Sequence, residues 1–155
     1  METVPLPDFK IGDISGRGVT LSSLKTLKRT SDAYSFISRD GGLAFAYSVN
    51  VRLDKMLIEV GDFKLGNLAG KTEFLVEDNE IYFGYTLFLK DECRARLDGL
   101  RMTRVDNVVV TSDNPELDNM DVSELFSKHV VPYVNSKLAT EYGDNIFKRY
   151  ISPCM

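Results

Sequence analysis

From Leu43 to Leu53 the chain alternates without a lapse. Leu43, Phe45, Tyr47, Val49, Val51 and Leu53 are large and apolar, and Ala44, Ala46, Ser48, Asn50 and Arg52 stand between them. A period of two with one apolar face and one wetter face defines a β-strand covered on one side only. What covers that face decides what the protein can do. A complete cover makes the stripe ordinary core, whereas an incomplete one leaves room for an apolar ligand.

The same pattern recurs along the chain. Phe9 to Leu21 reads as extended, with Gly12, Gly16 and Gly18 predicting a bend or bulge. Asp32 to Ser38 alternates weakly, and the "RDGG" that follows predicts a turn. "RLDK" predicts a second turn, into Met56–Leu65. Residues 72–76 and 81–89 are expected to pair as a hairpin around "EDNE", with Ile81, Phe83, Tyr85, Leu87 and Leu89 on one face. Arg94 to Thr111 supplies one or two further strands. Short connections between alternating strands predict an antiparallel meander across about residues 9–111.

After "TSDNPELDNM" the period changes. Asp121 and Glu124 have the spacing of a capping box. Val122, Leu125, Phe126, Val130, Tyr133, Val134, Leu138, Tyr142 and Ile146 then recur at helical intervals. The expectation is one amphipathic helix over about 121–150, kinked at Pro132 and again, or ended, at Gly143. Helix against sheet buries both apolar faces, giving an α+β fold. At 155 residues, 43% apolar and 27% charged, the chain suits a single soluble domain. Its net charge of −4 gives no long-range attraction to nucleic acid, and no apolar run approaches the roughly 20 residues of a membrane span. "METVPLPDFK" does not read as a signal peptide, so the chain is either cytosolic or the mature form of a secreted protein. Cys93 and Cys154 permit one disulfide, and a bridge is expected because it would hold the tail after Pro153.

The segment "SSLKTLKRTSDAYSFISRDGGLAFAYSVNVRLDKMLIEVGDFKLGNL" resembles the group 7 mite allergens in the order of its parts. "VVPYVNSKLATEYGDNIF" resembles the last helix of bactericidal/permeability-increasing proteins, where a Pro-x-x-Asn-x-x-Leu run matches Pro132, Asn135 and Leu138. Both families belong to the TULIP superfamily of tubular lipid-binding proteins, and the resemblance covers most of residues 9–150. It implies a long, highly twisted antiparallel sheet wrapped around a long C-terminal helix, with an apolar tunnel or groove between them. It also implies a secreted protein that binds lipids and has no catalytic machinery. The allergen-like domains carry a further helix ahead of the sheet, and residues 1–8 do not read as one.

The chemical alternatives are thin. His129 is the sole histidine, at helical spacing and with no serine–aspartate arrangement beside it. "GDISGRG" lacks the ending of a phosphate loop, and "DNPELDNMD" has Pro115 and Asp118 where a calcium loop needs a ligand and a glycine. Lys25, Lys28 and Arg29, and Arg94, Arg96, Arg101 and Arg104, form two basic clusters that read first as solvated edges and second as a lipid-headgroup collar. The expected function is non-enzymatic binding or transport of a lipid, fatty acid, isoprenoid or pigment such as a carotenoid. No cofactor, metal or catalytic residue is required. Recognition of microbial lipid, and self-association that closes the groove with a second subunit, are the alternatives. Ligand-contacting candidates are Phe45, Tyr47, Val49 and Val51 of one strand, and Ile58, Phe83, Tyr85 and Leu87 of its neighbours. Phe126, Val130, Tyr133 and Val134 complete the set on the helix face expected to cover the first four. A helix about 10 Å wide cannot blanket several strands, so the cover should be incomplete.

Overall fold

In the computed structural model, residues 3–22, 24–38, 43–89 and 92–154 are described. They form a mostly antiparallel β structure followed by a helical region, an α+β class. The strands are β1 (Thr3–Leu6), β2 (Phe9–Ile11), β3 (Ile14–Ser22), β4 (Leu27–Arg29), β5 (Tyr34–Ser38), β6 (Ala44–Leu53), β7 (Met56–Leu65), β8 (Leu68–Phe88) and β9 (Arg94–Ser112). The turn expected in "RDGG" lies at residues 39–42, outside the described residues.

The chain divides into two compact units, each assembled from three separate segments. Unit 1 holds Met1–Lys28, Leu53–Asn79 and Arg104–Tyr133, and unit 2 holds Arg29–Arg52, Glu80–Thr103 and Val134–Met155.

In unit 1, β1 and β2 both pair with β3, β3 pairs with β7, and β7 pairs with the first part of β8, all antiparallel. β1 occupies a stretch in which Pro5 and Pro7 argue against a strand. It is tolerated because β1 is an edge strand, where a missing N–H can face away from the ladder. The β7–β8 link is a two-residue turn between the paired Leu65 and Leu68, and Gly66 supplies the positive φ of +60° that it needs. Phe74 is 1% exposed and meets Phe63 edge-on at 5.1 Å and Phe126 at 5.0 Å. Met56, Val60, Val76, Val110 and Leu117 are buried in the same unit.

In unit 2, β5 pairs with β6 and β6 with the second part of β8. Phe45 stands opposite Leu87, Tyr47 opposite Tyr85, Val49 opposite Phe83 and Val51 opposite Ile81. Cys93 and Cys154 are bonded, with Cα atoms 5.5 Å apart.

The expected hairpin around "EDNE" is a correction. β8 runs from Leu68 to Phe88 without turning back. What changes there is the phase of the apolar alternation. In β7 and early β8 the large apolar alternation falls on even numbers (Met56, Ile58, Val60; Phe74, Val76), and in β6 and late β8 it falls on odd numbers (Phe45 to Leu53; Ile81 to Leu87). An unbroken ladder would put two such stripes on opposite faces of the same strands. Register pairing stops after Val51↔Ile81 and resumes at Met56↔Val76, leaving four residues on each strand between. Asn79 fills that interval. Its side chain accepts from the Leu53 N–H at 2.9 Å and donates to the Leu53 carbonyl at 2.9 Å and the Val76 carbonyl at 3.3 Å. Leu53 is 1% and Asn79 4% exposed, so no solvent stands in for these bonds.

The helical region is also divided differently from expectation. α1 (Ser123–Leu125) leads into a π-helical turn, Phe126–Val130, and then α2 (Val131–Leu138). The wide turn, closed by the Val131 N–H donating to the Phe126 carbonyl, immediately precedes Pro132, whose ring and missing N–H would disturb a regular ladder. The chain breaks at Thr140, which is extended and whose hydroxyl caps α3 (Glu141–Ile146) by accepting from the Tyr142 N–H. Gly143 lies inside α3 and does not end it. A Cβ there would fall 1.8 Å from the Leu138 carbonyl oxygen, so the close approach of the two helices requires glycine. A second π-type segment, Phe147–Ile151, follows. The expected capping box does not form: Val122 is the N-cap, the Asp121 carboxylate accepts from the Ser123 N–H, and Glu124 pairs with Lys128. No described helix is long and apolar enough to cross a membrane.

Asn79→Leu keeps the side-chain size and leaves the Leu53 amide and carbonyl unsatisfied. Urea denaturation should show a loss of about 2–4 kcal/mol, from roughly 1–3 kcal/mol per buried unsatisfied group; an unchanged midpoint would contradict the bridging role. Reducing Cys93–Cys154, which closes a separation of 61 residues, should cost about 4 kcal/mol in the chain-entropy picture, measured as a shift of the same curve.

Candidate ligand-binding face

Unit 2 carries most of the candidate set. Cross-strand pairing puts Phe45, Tyr47, Val49 and Val51 on the same face as their partners Leu87, Tyr85, Phe83 and Ile81. The aromatic rings form a run: Tyr47 to Tyr85 at 5.4 Å, and Tyr85 to Phe83 at 6.3 Å and near-parallel. Val49 and Val51 are buried, but Phe45, Tyr47, Phe83, Tyr85 and Leu87 are only half-buried. Toward the end of the same face, Ile37 (opposite Phe45), Leu43 and Leu89 are 55%, 40% and 45% exposed. In unit 1 the equivalent aromatic, Phe74, is 1% exposed. One unit closes over its apolar face and the other does not.

The helix residues separate. Phe126 was expected over the β6 stripe, but it packs on Phe74 in unit 1. Val130, Tyr133 and Ile58 also belong to unit 1, and all three are half-buried. Val134 belongs to unit 2 and is half-buried. The ring that meets the β6–β8 aromatics is Phe147, 1% exposed and 5.8 Å from Tyr85. Phe147 lies one position beyond the last apolar residue counted at regular helical spacing. That spacing does not carry across the break at Thr140, where the helix restarts. Asn135 fixes helix α2 to β9: its side chain accepts from the Met102 N–H at 2.8 Å and donates to the Met102 carbonyl at 2.9 Å.

Beside this cluster an open groove of about 400 Å³ runs between the start of β9 and the last helical segments. Phe88, Leu97 and Phe147 give it an apolar floor, and Arg94, Arg96, Lys148 and Asp144 stand at its rim. The Arg94 and Arg96 guanidinium groups lie 4.8 and 5.5 Å over the Phe88 ring. The remaining basic residues are dispersed. Arg101 stacks on Tyr82, Arg104 pairs with Asp78 at 2.8 Å, and Lys28 pairs with Asp54 at 2.6 Å. His129 is exposed on the π-helical turn. Among the described residues no group of His, Cys, Asp and Glu is placed to hold a metal ion.

Burial, reinforced by the neighbouring Tyr47 phenol, raises the Tyr85 pKa above its ordinary value of about 10. Such an environment favours the neutral phenol and suits apolar contacts. Compared with known proteins, the chain matches no family model and no curated protein.

The raised pKa fixes a sign. A folded-state value above the unfolded one leaves stability untouched below about pH 10 and lowers it as pH rises through the folded pKa. Phenolate absorbance should therefore show one late-titrating tyrosine that Tyr85→Phe removes. Loss of an ordinary tyrosine instead would contradict the burial of this ring.

Proposed function

We propose that this protein is a non-enzymatic carrier of an apolar small molecule, a lipid, fatty acid, isoprenoid or pigment, bound on the β6–β8 face of unit 2. The observation that carries this reading is the half-buried aromatic run Phe45, Tyr47, Phe83 and Tyr85, beside the exposed Ile37, Leu43 and Leu89. Contiguous exposed apolar surface in a soluble protein marks a binding site. Burying it under a ligand contributes roughly 25 cal/mol per Å² before ordering costs. The resemblance to tubular lipid-binding proteins belongs to the same proposal, as does the finer architecture it implies, a highly twisted sheet wrapped on the C-terminal helix around an apolar tunnel. The Cys93–Cys154 bond supports an oxidising, extracellular setting.

Self-association is the second reading, favoured by the exposure of Ile37, Leu43 and Leu89 at one end of the face. In that case another copy covers the strip, and sedimentation velocity would show a dimer that Leu43→Lys dissociates.

Nile red, a neutral apolar dye, tests the carrier reading. The wild-type protein should bind it with a fluorescence increase. The double variant Tyr47→Ala/Tyr85→Ala should bind about tenfold more weakly, the loss of roughly 1.4 kcal/mol or more of contact, with an unchanged circular dichroism spectrum. Val109→Ser, at an exposed position in unit 1, should bind as the wild type does. No binding by the wild type, or equal binding by the double variant, would overturn the proposal.

A further inference from the structure

We infer that the groove beside Phe147 takes the acid group of a single-chain anionic amphiphile, a carboxylate or phosphate ester carried on an apolar chain. This deepens the carrier reading and rests on it. The groove joins two chemistries that a purely apolar site would not need. Its floor is Phe88, Leu97 and Phe147, and its rim carries three cations and one carboxylate, Asp144. Arg96 is already engaged: its Nε donates to Asp98 at 2.9 Å, and the other Asp98 oxygen accepts from the Thr86 hydroxyl at 2.6 Å. Arg94 and Lys148 are different. Among the described residues no carboxylate pairs with either, although Asp144 stands one helical turn before Lys148. The Arg94 guanidinium lies 4.8 Å over the Phe88 ring, and a guanidinium stacked on a ring can still offer its N–H fork to an acid group.

The two walls are brought together from distant parts of the sequence and tied. Cys93 immediately precedes Arg94, and Cys154 lies just beyond the segment carrying Phe147 and Lys148, so the disulfide ties the start of β9 to the end of that segment. Phe147 is shared, lining the groove and also meeting Tyr85 at 5.8 Å. An acid group at Arg94 and Lys148 therefore leaves its chain in the groove, against Phe88 and Leu97. A neutral amphiphile makes the apolar contacts and offers neither cation a charged partner.

The test uses the intact, disulfide-bonded protein and four probes below their micelle concentrations: dodecanoate, dodecyl phosphate, dodecanol and inorganic phosphate. Each is titrated by calorimetry and by displacement of Nile red. Dodecanoate and dodecyl phosphate should bind about tenfold or more tightly than dodecanol, the effect of one charge-assisted contact. The preference should vanish in Arg94→Gln/Lys148→Gln, which alters two exposed side chains, while dodecanol affinity stays at the wild-type value. Dodecanol binding as tightly as dodecanoate, or a preference that survives in the double variant, overturns the inference and leaves the carrier reading standing. Inorganic phosphate binding as tightly as dodecyl phosphate makes this an oxyanion site and overturns the amphiphile. Failure of dodecanol, dodecanoate and Nile red alike overturns the inference together with the carrier reading.

Discussion

Asn79 holds Leu53 by both of its backbone groups, and the sheet depends on that grip. Residues 53 and 79 stand at equivalent places between the last pair on one side, Val51↔Ile81, and the first on the other, Met56↔Val76. A side-chain amide has the donor and acceptor of a peptide group, so Asn79 supplies what a strand neighbour would have supplied. The Asp54 and Lys55 N–H groups are met by the Thr26 carbonyl and hydroxyl at 3.3 and 3.4 Å. The strands can therefore change the phase of their apolar alternation without leaving buried polar groups unpaired. Asn135 repeats the device on Met102, joining helix to strand with a second amide in a peptide's place.

The phase change separates two kinds of apolar face. Around Phe74, rings and aliphatic side chains pack to almost no exposure. Around Tyr85 the rings stack on one another and on Phe147, yet stay half-buried, and the strip beyond them is exposed. Closing the second face as tightly as the first would take further apolar side chains that the described residues do not bring to it. A ligand supplies that missing area in the proposed function, and the cations of the neighbouring groove extend the same idea to its headgroup.

Much of this was legible in the alternation. The stripes 43–53 and 81–89 are strands and the two cysteines do bond, but the turn expected at "RLDK" does not fold β6 back on β7, since both pair with β8. The misread positions share a cause: local chemistry was outvoted by a distant partner. Glu77–Glu80 has turn-forming residues, but Asn79 finds Leu53, 26 residues away, and the strand continues. Pro132 and Gly143 look like helix breakers. The π-helical turn absorbs the first, and close packing against Leu138 employs the second, leaving the break to Thr140. Phe147 was hidden because a count at regular helical spacing does not carry across the break at Thr140, where the helix restarts. Phe126 obeyed the count but found Phe74, a choice that helical spacing alone does not contain.

Hydrogen exchange, followed residue by residue in the free protein and with saturating Nile red, tests the central claim that one apolar face is closed and the other waits for a ligand. Amides of Phe45–Val51 and Phe83–Leu87 should exchange faster in the free protein than those of Leu57–Val60 and Phe74–Val76, and should slow when the dye binds. Equal protection of the two sets in the free protein, or no slowing on binding, would contradict it.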